Sequence, residues 1–253
     1  MWRVSKRRGD KVKRRISDKV IYSVIGVLSL VLIGISYVLE NPKALKRQTV
    51  IEAKMLPTVV TVGVFGEVNL QVNGSTKTVQ ASVRGAGVYI SPKGHILTCA
   101  HLFWLDKVQH ILIKDSEGGI QKVDLLAINE GKDLALLMGN FSPVKYAKFG
   151  KPSDMKVGQV VYAIGTPLGL EYTVTRGVIS YLGRKEVGNY PMNQSDTEIN
   201  PGNSGGPLFN EDGEVVGIVS RMMPVIPLPI FTGLGFSVRL EEINTFLEQF
   251  RGL

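Results

Sequence analysis

Short runs of β-branched and aromatic residues recur along most of the chain after Pro57. The first runs are TVVTVGVF, VNLQV, KTVQASV, GVYI, ILTCA, HILIK, QKVDLLAI and DLALLM, and a second set holds QVVYAIG, YTVTRGVISYL, EVVGIVS and LGFSV. Gly, Pro, Asn and Asp separate them, and Asn73-Gly74 between two runs predicts a tight hairpin. This pattern is typical of an all-β barrel or sandwich.

Two segments depart from this pattern. Near the end of the chain, apolar residues fall at helical spacing, which predicts a C-terminal helix over 239–251. Near the start, Val20 to Leu39 is a run of twenty residues without a charge. As a helix this run is roughly 30 Å long, the thickness of a bilayer's hydrocarbon core, so it predicts a transmembrane helix. Residues 40–56 are mixed and charged, and we expect them to form a partly helical stalk.

The formal charge of +8 is concentrated in the first nineteen residues. Residues 1–19 hold nine Lys and Arg against two Asp, so only +1 is left for 20–253. A nucleic-acid-binding face on the folded part is therefore not expected. A basic tail ahead of an apolar span predicts a single-pass membrane protein with a cytoplasmic N-terminus and an extracytoplasmic domain. The lipid bilayer is the partner expected for residues 20–39.

Cysteine and histidine are scarce. Cys99 is the only cysteine, so the chain can form no intramolecular disulfide. The three histidines and this cysteine show no spacing such as H-x-x-x-H or C-x-x-C. The sequence therefore predicts neither a metal site nor a cofactor.

Ser204 lies in the stretch EINPGNSGGPLF, residues 198–209, and is the candidate nucleophile. G-N-S-G-G formally fits the nucleophile elbow, whose fold orders its triad Ser, Asp, His. That order fails because all three histidines precede Ser204, and a lysine base downstream fails because the last lysine is Lys185. The subtilisin order Asp, His, Ser finds aspartates ahead of His101 only in the basic tail. The order His, Asp, Ser remains.

Within that order, context ranks the candidates. His101 closes the apolar run ILTCA, so a strand would hold its imidazole at the edge of the domain, whereas His95 lies in a turn. Asp133 opens the run DLALLM, where a partly buried carboxylate could orient an imidazole. Asp115, Asp124 and Asp154 lie in more polar, turn-like stretches. Asp106 before His110 satisfies the subtilisin order only formally, and nothing else favours it.

These residues and their surroundings resemble the HtrA/Deg family of trypsin-like serine proteases. The matching stretches are GAGVYISPKGHILTCAH, KDLALL, VGQVVYAIGTPLGLEYTVTRGVIS and SDTEINPGNSGGPLFNEDGEVVGIVS, in family order over almost all of 57–240. The resemblance implies a chymotrypsin-like double β-barrel over 57–253, with barrels at about 57–145 and 155–238. It implies a His101–Asp133–Ser204 triad, with the backbone N–H groups of Gly202 and Ser204 as the oxyanion hole.

Alignment with the family also suggests residues that bind substrate. Ile199, Met222 and Met223 are expected around the pocket for the residue before the cut, and Ser220 and Arg221 on the strand along which a peptide lies. This apolar lining favours aliphatic side chains. Glu198 lies six residues before Ser204, where an acid could instead select Lys or Arg; we expect it to point elsewhere or to pair with Arg221 or Arg176.

The resemblance implies a serine endopeptidase that acts on unfolded or extended polypeptides, in quality control or regulated proteolysis outside the cytoplasm, at a bacterial cell membrane. It also implies a homotrimer. Family members usually continue into PDZ domains, and because the sequence ends at Leu253 we expect a form without one. The alternative is a catalytically silent, membrane-tethered scaffold that binds peptides along a barrel edge.

Overall fold

We describe residues 27–31, 42–140, 143–222 and 233–250 in a computed structural model of the chain. The predicted basic tail, 1–19, lies outside these residues, as does most of the predicted span, 20–39. Within the described ranges, no helix has both the length and the apolar character needed to cross a membrane.

The chain divides into two units, Met1–Lys46 and Arg47–Leu253. Residues 27–31 of the first unit are helical. Helix α1 begins at Pro42, in the first unit, and ends at Val50, in the second. A π-helical turn, Ile51–Met55, and a 3₁₀ turn, Leu56–Thr58, follow. Val50 and Met55, which fall in the segment predicted as a stalk, are buried in the hydrophobic core of the second unit.

The first barrel holds the runs predicted between Pro57 and Met138. Its strands are β1 (Val59–Val72), β2 (Ser75–Tyr89), β3 (His95–Thr98), β4 (Lys107–Lys114), β5 (Ile120–Asn129) and β6 (Leu134–Met138). They close in the order β1-β2-β3-β6-β5-β4. Asn73 and Gly74 turn the β1–β2 hairpin with φ of 50° and 75°, the left-handed region that a two-residue hairpin turn requires. The predicted hairpin is confirmed.

A second barrel follows. Its strands are β7 (Lys148–Phe149), β8 (Val160–Gly165), β9 (Thr173–Arg184), β10 (Met192–Ser195), β11 (Pro207–Phe209), β12 (Glu214–Met222) and β13 (Gly235–Arg239). Their order is β11-β8-β9-β10-β13-β12-β7, and an additional β11–β12 pairing closes the sheet on itself. The all-β double-barrel fold predicted from the sequence is confirmed.

Consecutive residues of β8 show how the barrels share their core. Tyr162 and Ile164 belong to the large core cluster that also contains Val60 and Leu97 of the first barrel. Val161 and Ala163 point the other way, into a smaller cluster inside the second barrel. Because side chains alternate along a strand, the single apolar run of β8 contributes to both hydrophobic clusters.

The predicted C-terminal helix is confirmed as α2, Leu240–Leu247, followed by a 3₁₀ turn, Glu248–Phe250. Leu240, Ile243 and Phe246 are buried on its inner face. Its two first-turn acids, Glu241 and Glu242, make ion pairs, and Glu242 Oε2 lies 2.8 Å from Lys132 Nζ. The helix is thereby linked to the turn that precedes β6.

Two local expectations need correction. The run ILTCA does not stay extended to its end, because β3 stops at Thr98 and a 3₁₀ turn, Ala100–Phe103, follows. His101 therefore lies on a turn, not at a strand end. Asp133 precedes β6 instead of opening it, since its φ of 54° and ψ of 45° are left-handed.

Candidate active site

Asp133 is turned inward by the short segment ahead of it. A 3₁₀ turn, Glu130–Lys132, is capped by the Asn129 side chain, which accepts from Lys132 N at 3.0 Å. The left-handed backbone of Asp133 ends this turn, a conformation that aspartate tolerates better than most residues. The residue is 5% exposed. The turn thus places a carboxylate inside the protein.

His101 meets this carboxylate through two groups. Its backbone N–H donates to Asp133 Oδ1 at 2.9 Å, and its Nδ1 lies 2.9 Å from both carboxylate oxygens. The hydrogen bond assigns the ring proton to Nδ1, which leaves the lone pair of the neutral imidazole on Nε2. The His101 side chain is 45% exposed, against 6% for Asp133. The pair therefore presents a base to solvent and keeps its orienting acid buried.

Ser220 completes the surroundings of the carboxylate. Its Oγ donates to Asp133 Oδ2 at 2.5 Å, and both residues are buried. Burial by itself raises the pKa of Asp133. Hydrogen bonds from the His101 ring, the Ser220 hydroxyl and the His101 backbone N–H, together with the electrostatic attraction of His101, nevertheless hold that pKa below its ordinary value. Asp133 is accordingly ionised at neutral pH.

Ser204 lies on the second barrel, half-buried, with its side chain turned toward Ser220. Its Oγ donates to the Ser220 carbonyl at 3.1 Å, and no hydrogen bond joins it to the His101 ring. Its own carbonyl accepts from the Ala86 N–H of β2 at 2.8 Å. Ser220 therefore links Ser204 to Asp133 where the barrels meet, and the serine hydroxyl donates to a backbone carbonyl instead of the His101 ring.

The turn before Ser204 leaves two backbone donors without acceptors. Gly202 has a φ of +107°, and a Cβ there would lie 2.1 Å from the Thr166 carbonyl oxygen, so only glycine fits. Thr166 N–H in turn donates to the Gly202 carbonyl at 3.2 Å. Among the described residues, the N–H groups of Gly202 and Ser204 donate to no acceptor. Unpaired donors beside a serine are the arrangement that an oxyanion needs.

A pocket of about 620 Å³ opens beside the His101–Asp133 pair. Ala100, His101, Phe103, Trp104, Glu130, Asp133, Ser220 and Arg221 line it. Ser220 and Arg221 were predicted to bind substrate, whereas Phe103, Trp104 and Glu130 were missed. No local signal marks those three, because only the closure of the first barrel brings their turns together.

The predicted specificity residues take different positions. Ile199 is 3% exposed and packs in the small cluster inside the second barrel. Glu198 is exposed, its Oε1 accepts from Asn200 Nδ2 at 3.3 Å, and it makes no ion pair with Arg176 or Arg221, all of which are described. Met222 ends β12, but its side chain and all of Met223 lie outside the described residues.

Two packed barrels that bring an Asp–His pair and a serine to their junction define a trypsin-like peptidase. Residues 85–218, more than half of the chain, match the family of the trypsin-like peptidase domain. The chain belongs to this family and, within it, to the HtrA/Deg proteases.

Curated relatives carry the name "Probable periplasmic serine endoprotease DegP-like". The protein from Pseudomonas savastanoi pv. phaseolicola is 40% identical over 159 residues, which cover 62% of this chain and 32% of the relative. The protein from Hahella chejuensis is 42% identical over 174 residues, covering 68% of this chain and 36% of the relative. The chain thus spans about a third of the length of these relatives.

Solved structures show the same fold. The HtrA-type protease AlgW with a tripeptide superposes with a TM-score of 0.67 at 25% identity, covering 80% of this chain and 62% of that one. AlgW with a decapeptide gives a TM-score of 0.69 at 23% identity, covering 81% of this chain and 68% of that one.

The hydrogen bonds of Asp133 predict a pH-dependent contribution to stability. Because its pKa is depressed below 3.8 on folding, the stabilisation is present at neutral pH and is lost as the pH falls through the folded pKa. Asp133→Asn should therefore lower the free energy of unfolding by about 1–3 kcal/mol at pH 7. The difference between the variant and the original protein should shrink below pH ~4. Melting temperatures from pH 3 to 8 measure this.

The matched control is Asp124→Asn, at an exposed aspartate on β5. It should leave the melting temperature nearly unchanged at every pH. If the difference in melting temperature between Asp133→Asn and the original protein stayed constant down to pH 3, the stabilising role of the ionised Asp133 carboxylate would be contradicted.

Proposed function

We propose that this protein is a serine endopeptidase that hydrolyses unfolded or extended polypeptides. The observation that carries the proposal is the Asp133–His101 pair, joined through Ser220 to Ser204, whose turn holds two free N–H donors. The names of the relatives, periplasmic serine endoproteases, agree with it, as do the peptide-bound AlgW structures.

In the proposed reaction, His101 Nε2 takes the Ser204 proton as Oγ attacks the substrate carbonyl. Asp133 accepts the Nδ1–H bond throughout and stabilises the imidazolium that forms. The Gly202 and Ser204 N–H groups receive the oxyanion, a contribution of roughly 3 kcal/mol per donor to the barrier. His101 then protonates the leaving amine, and water releases the acyl group by the same steps in reverse.

The Ser204 hydroxyl must first leave the Ser220 carbonyl. A polypeptide laid along β12 offers backbone N–H groups, and one of them can take over that carbonyl. The hydroxyl would then be free to turn toward Nε2, because catalytic hydrogen bonds often form only once substrate is bound. Substrate binding would in this way prepare the nucleophile.

The same Ser204–Ser220 hydrogen bond also supports the second candidate, a catalytically silent scaffold that binds peptides on β12. A scaffold would keep the hydroxyl where it is. The two candidates differ in whether Ser204 reacts.

Reactivity of Ser204 is therefore the first test. A fluorophosphonate probe should label the protein, and Ser204→Ala should abolish labelling and lower the cleavage of an unfolded protein substrate by more than about 10³-fold. The melting temperature should not change, because the half-buried hydroxyl makes only one hydrogen bond. Ser153→Ala, at an exposed serine, should behave like the original protein.

Peptide binding without labelling or cleavage by the original protein would favour the scaffold. Cleavage that survives in Ser204→Ala would exclude Ser204 as the nucleophile.

We further propose a preference for aliphatic residues before the cut. Ile199, next to the turn that carries the free donors, is apolar and buried, and the Glu198 carboxylate is exposed and held by Asn200. A carboxylate that selects Lys or Arg would instead have to face a pocket, where an unpaired charge is costly.

A panel of peptides with Val, Leu, Lys or Arg before the scissile bond tests this preference. We expect kcat/KM for Val or Leu to exceed that for Lys or Arg by at least about tenfold. Glu198→Gln should leave the ranking unchanged. A preference for Lys or Arg that disappears in Glu198→Gln would reverse the assignment.

The proposed location is a bacterial cell membrane, with residues 20–39 as the anchor and the peptidase domain outside the cytoplasm. Nine positive charges ahead of an uncharged run of twenty residues support this topology, as do the relatives named periplasmic. We also propose a homotrimer, on the family resemblance alone, which analytical ultracentrifugation can check.

Deleting residues 1–19 should impair or invert membrane insertion, because the positive charges that set the orientation are gone. Protease accessibility of the C-terminal domain in spheroplasts measures this. A chain of residues 42–253 should remain in the soluble fraction and retain its peptidase activity. Normal orientation of the truncated tail variant would argue against the proposed topology.

A further inference from the structure

Cys99 lies beside the proposed catalytic pair. Its Sγ, a ring nitrogen of His101 and a carboxylate oxygen of Asp133 all lie within 4.8 Å of one another. Cys99 and His101 are two residues apart, but Asp133 comes 32 residues after His101. The sequence shows no metal motif because the barrel, not the local spacing, brings in the third ligand.

The proposed peptidase chemistry does not use this thiol. Cys99 is fully buried, and Sγ donates to the Val219 carbonyl at 3.2 Å. Burial, and to a lesser degree the charge of Asp133, raises the pKa of the thiol, so it is protonated at neutral pH. The raised pKa opposes loss of the thiol proton, so the case for a cation here rests on the spacing of the sulfur, the ring nitrogen and the carboxylate oxygen.

Thiolate, imidazole and carboxylate are the three ligand types that Zn²⁺ takes in proteins. One thiolate and one carboxylate balance the two positive charges, so the complex with a neutral imidazole has no net charge. This matters because both anionic ligands are buried, where an unbalanced charge is expensive. Zinc–ligand distances of about 2.0–2.3 Å place tetrahedral ligands about 3.3–3.8 Å apart. The His101 Nδ1–Asp133 separation of 2.9 Å would therefore widen slightly, and Cys99 Sγ, which lies within 4.8 Å of both, would adjust to the same spacing.

We propose that Cys99, His101 and Asp133 form a binding site for Zn²⁺. The ion enters from the pocket beside the pair, which is lined by His101 and Asp133, and a water from this pocket supplies the fourth ligand. Binding releases the thiol proton to solvent and moves the Nδ1 proton to Nε2.

If the proposed peptidase function holds, bound zinc switches it off. With Nδ1 on the metal, the neutral imidazole carries its proton on Nε2 and cannot accept one from Ser204. Asp133 is at the same time withdrawn from orienting the ring. The loss is reversible, because a chelator that removes the metal restores the original tautomer.

Metal binding can be tested without activity. Co²⁺ added to the full chain in detergent should give the near-ultraviolet absorption band of a thiolate-to-cobalt charge transfer, and Zn²⁺ should displace it. Cys99→Ser and Cys99→Ala should lack the band. Ser204→Ala should keep it, because all three ligands remain. His110→Gln, at a histidine that stacks on Phe65 away from the cluster, is the matched control and should also keep it.

Zinc inhibition is then measured as a fraction of each variant's own activity without metal. Cys99→Ser should need more zinc for half inhibition than the original protein, by more than the roughly 10–100-fold that loss of an outer-sphere contact costs. Absence of the thiolate band in the original protein, or equal zinc sensitivity in Cys99→Ser, would overturn the proposal. A thiolate band in a protein without peptidase activity would support the metal site and reject the proposed function.

Discussion

The hydrogen bond from Ala86 N–H to the Ser204 carbonyl joins the two barrels at the point where the site lies. It needs very close approach, and Gly205 makes that approach possible: with a φ of +84°, a Cβ there would lie 2.2 Å from Thr98 Oγ1 and 2.3 Å from the Ala86 carbonyl. Gly205 is thus a packing requirement between the barrels. Without it, Ser204 could not approach the residues of the other barrel.

Ser220 is the second link across the same junction. Its hydroxyl reaches Asp133 of the first barrel and its carbonyl reaches Ser204 of the second. It lies where β12 shifts register against β13, between Val219 and Arg221. Such an irregularity turns neighbouring groups of one strand in directions that a regular ladder does not allow. One buried residue thereby fixes the acid and holds the serine hydroxyl.

The sequence predicted those features that depend on local patterns. Alternating apolar runs indicated the long strands, Asn73-Gly74 the hairpin, and the order of His101, Asp133 and Ser204 a trypsin-like arrangement. Short strands such as β10 and β11 were missed, because three or four residues carry little periodicity and are held by pairing with distant strands. The orientation of Ser220 and the approach of Cys99 to Asp133 were missed for the same reason, since both arise from contacts across the fold.

The start of the peptidase domain has a mechanical consequence. Arg47 pairs with Glu211, Lys54 Nζ bonds the Asp212 carbonyl, and Val50 and Met55 are built into the core just before β1. A force applied to the chain ahead of Arg47 would first have to peel this helical segment from the second barrel. Only then would it reach β1, which resists sliding through its ladders with β2 and β4. The helical segment would therefore detach first, and until it did, the first barrel, with His101 and Asp133, would carry no load.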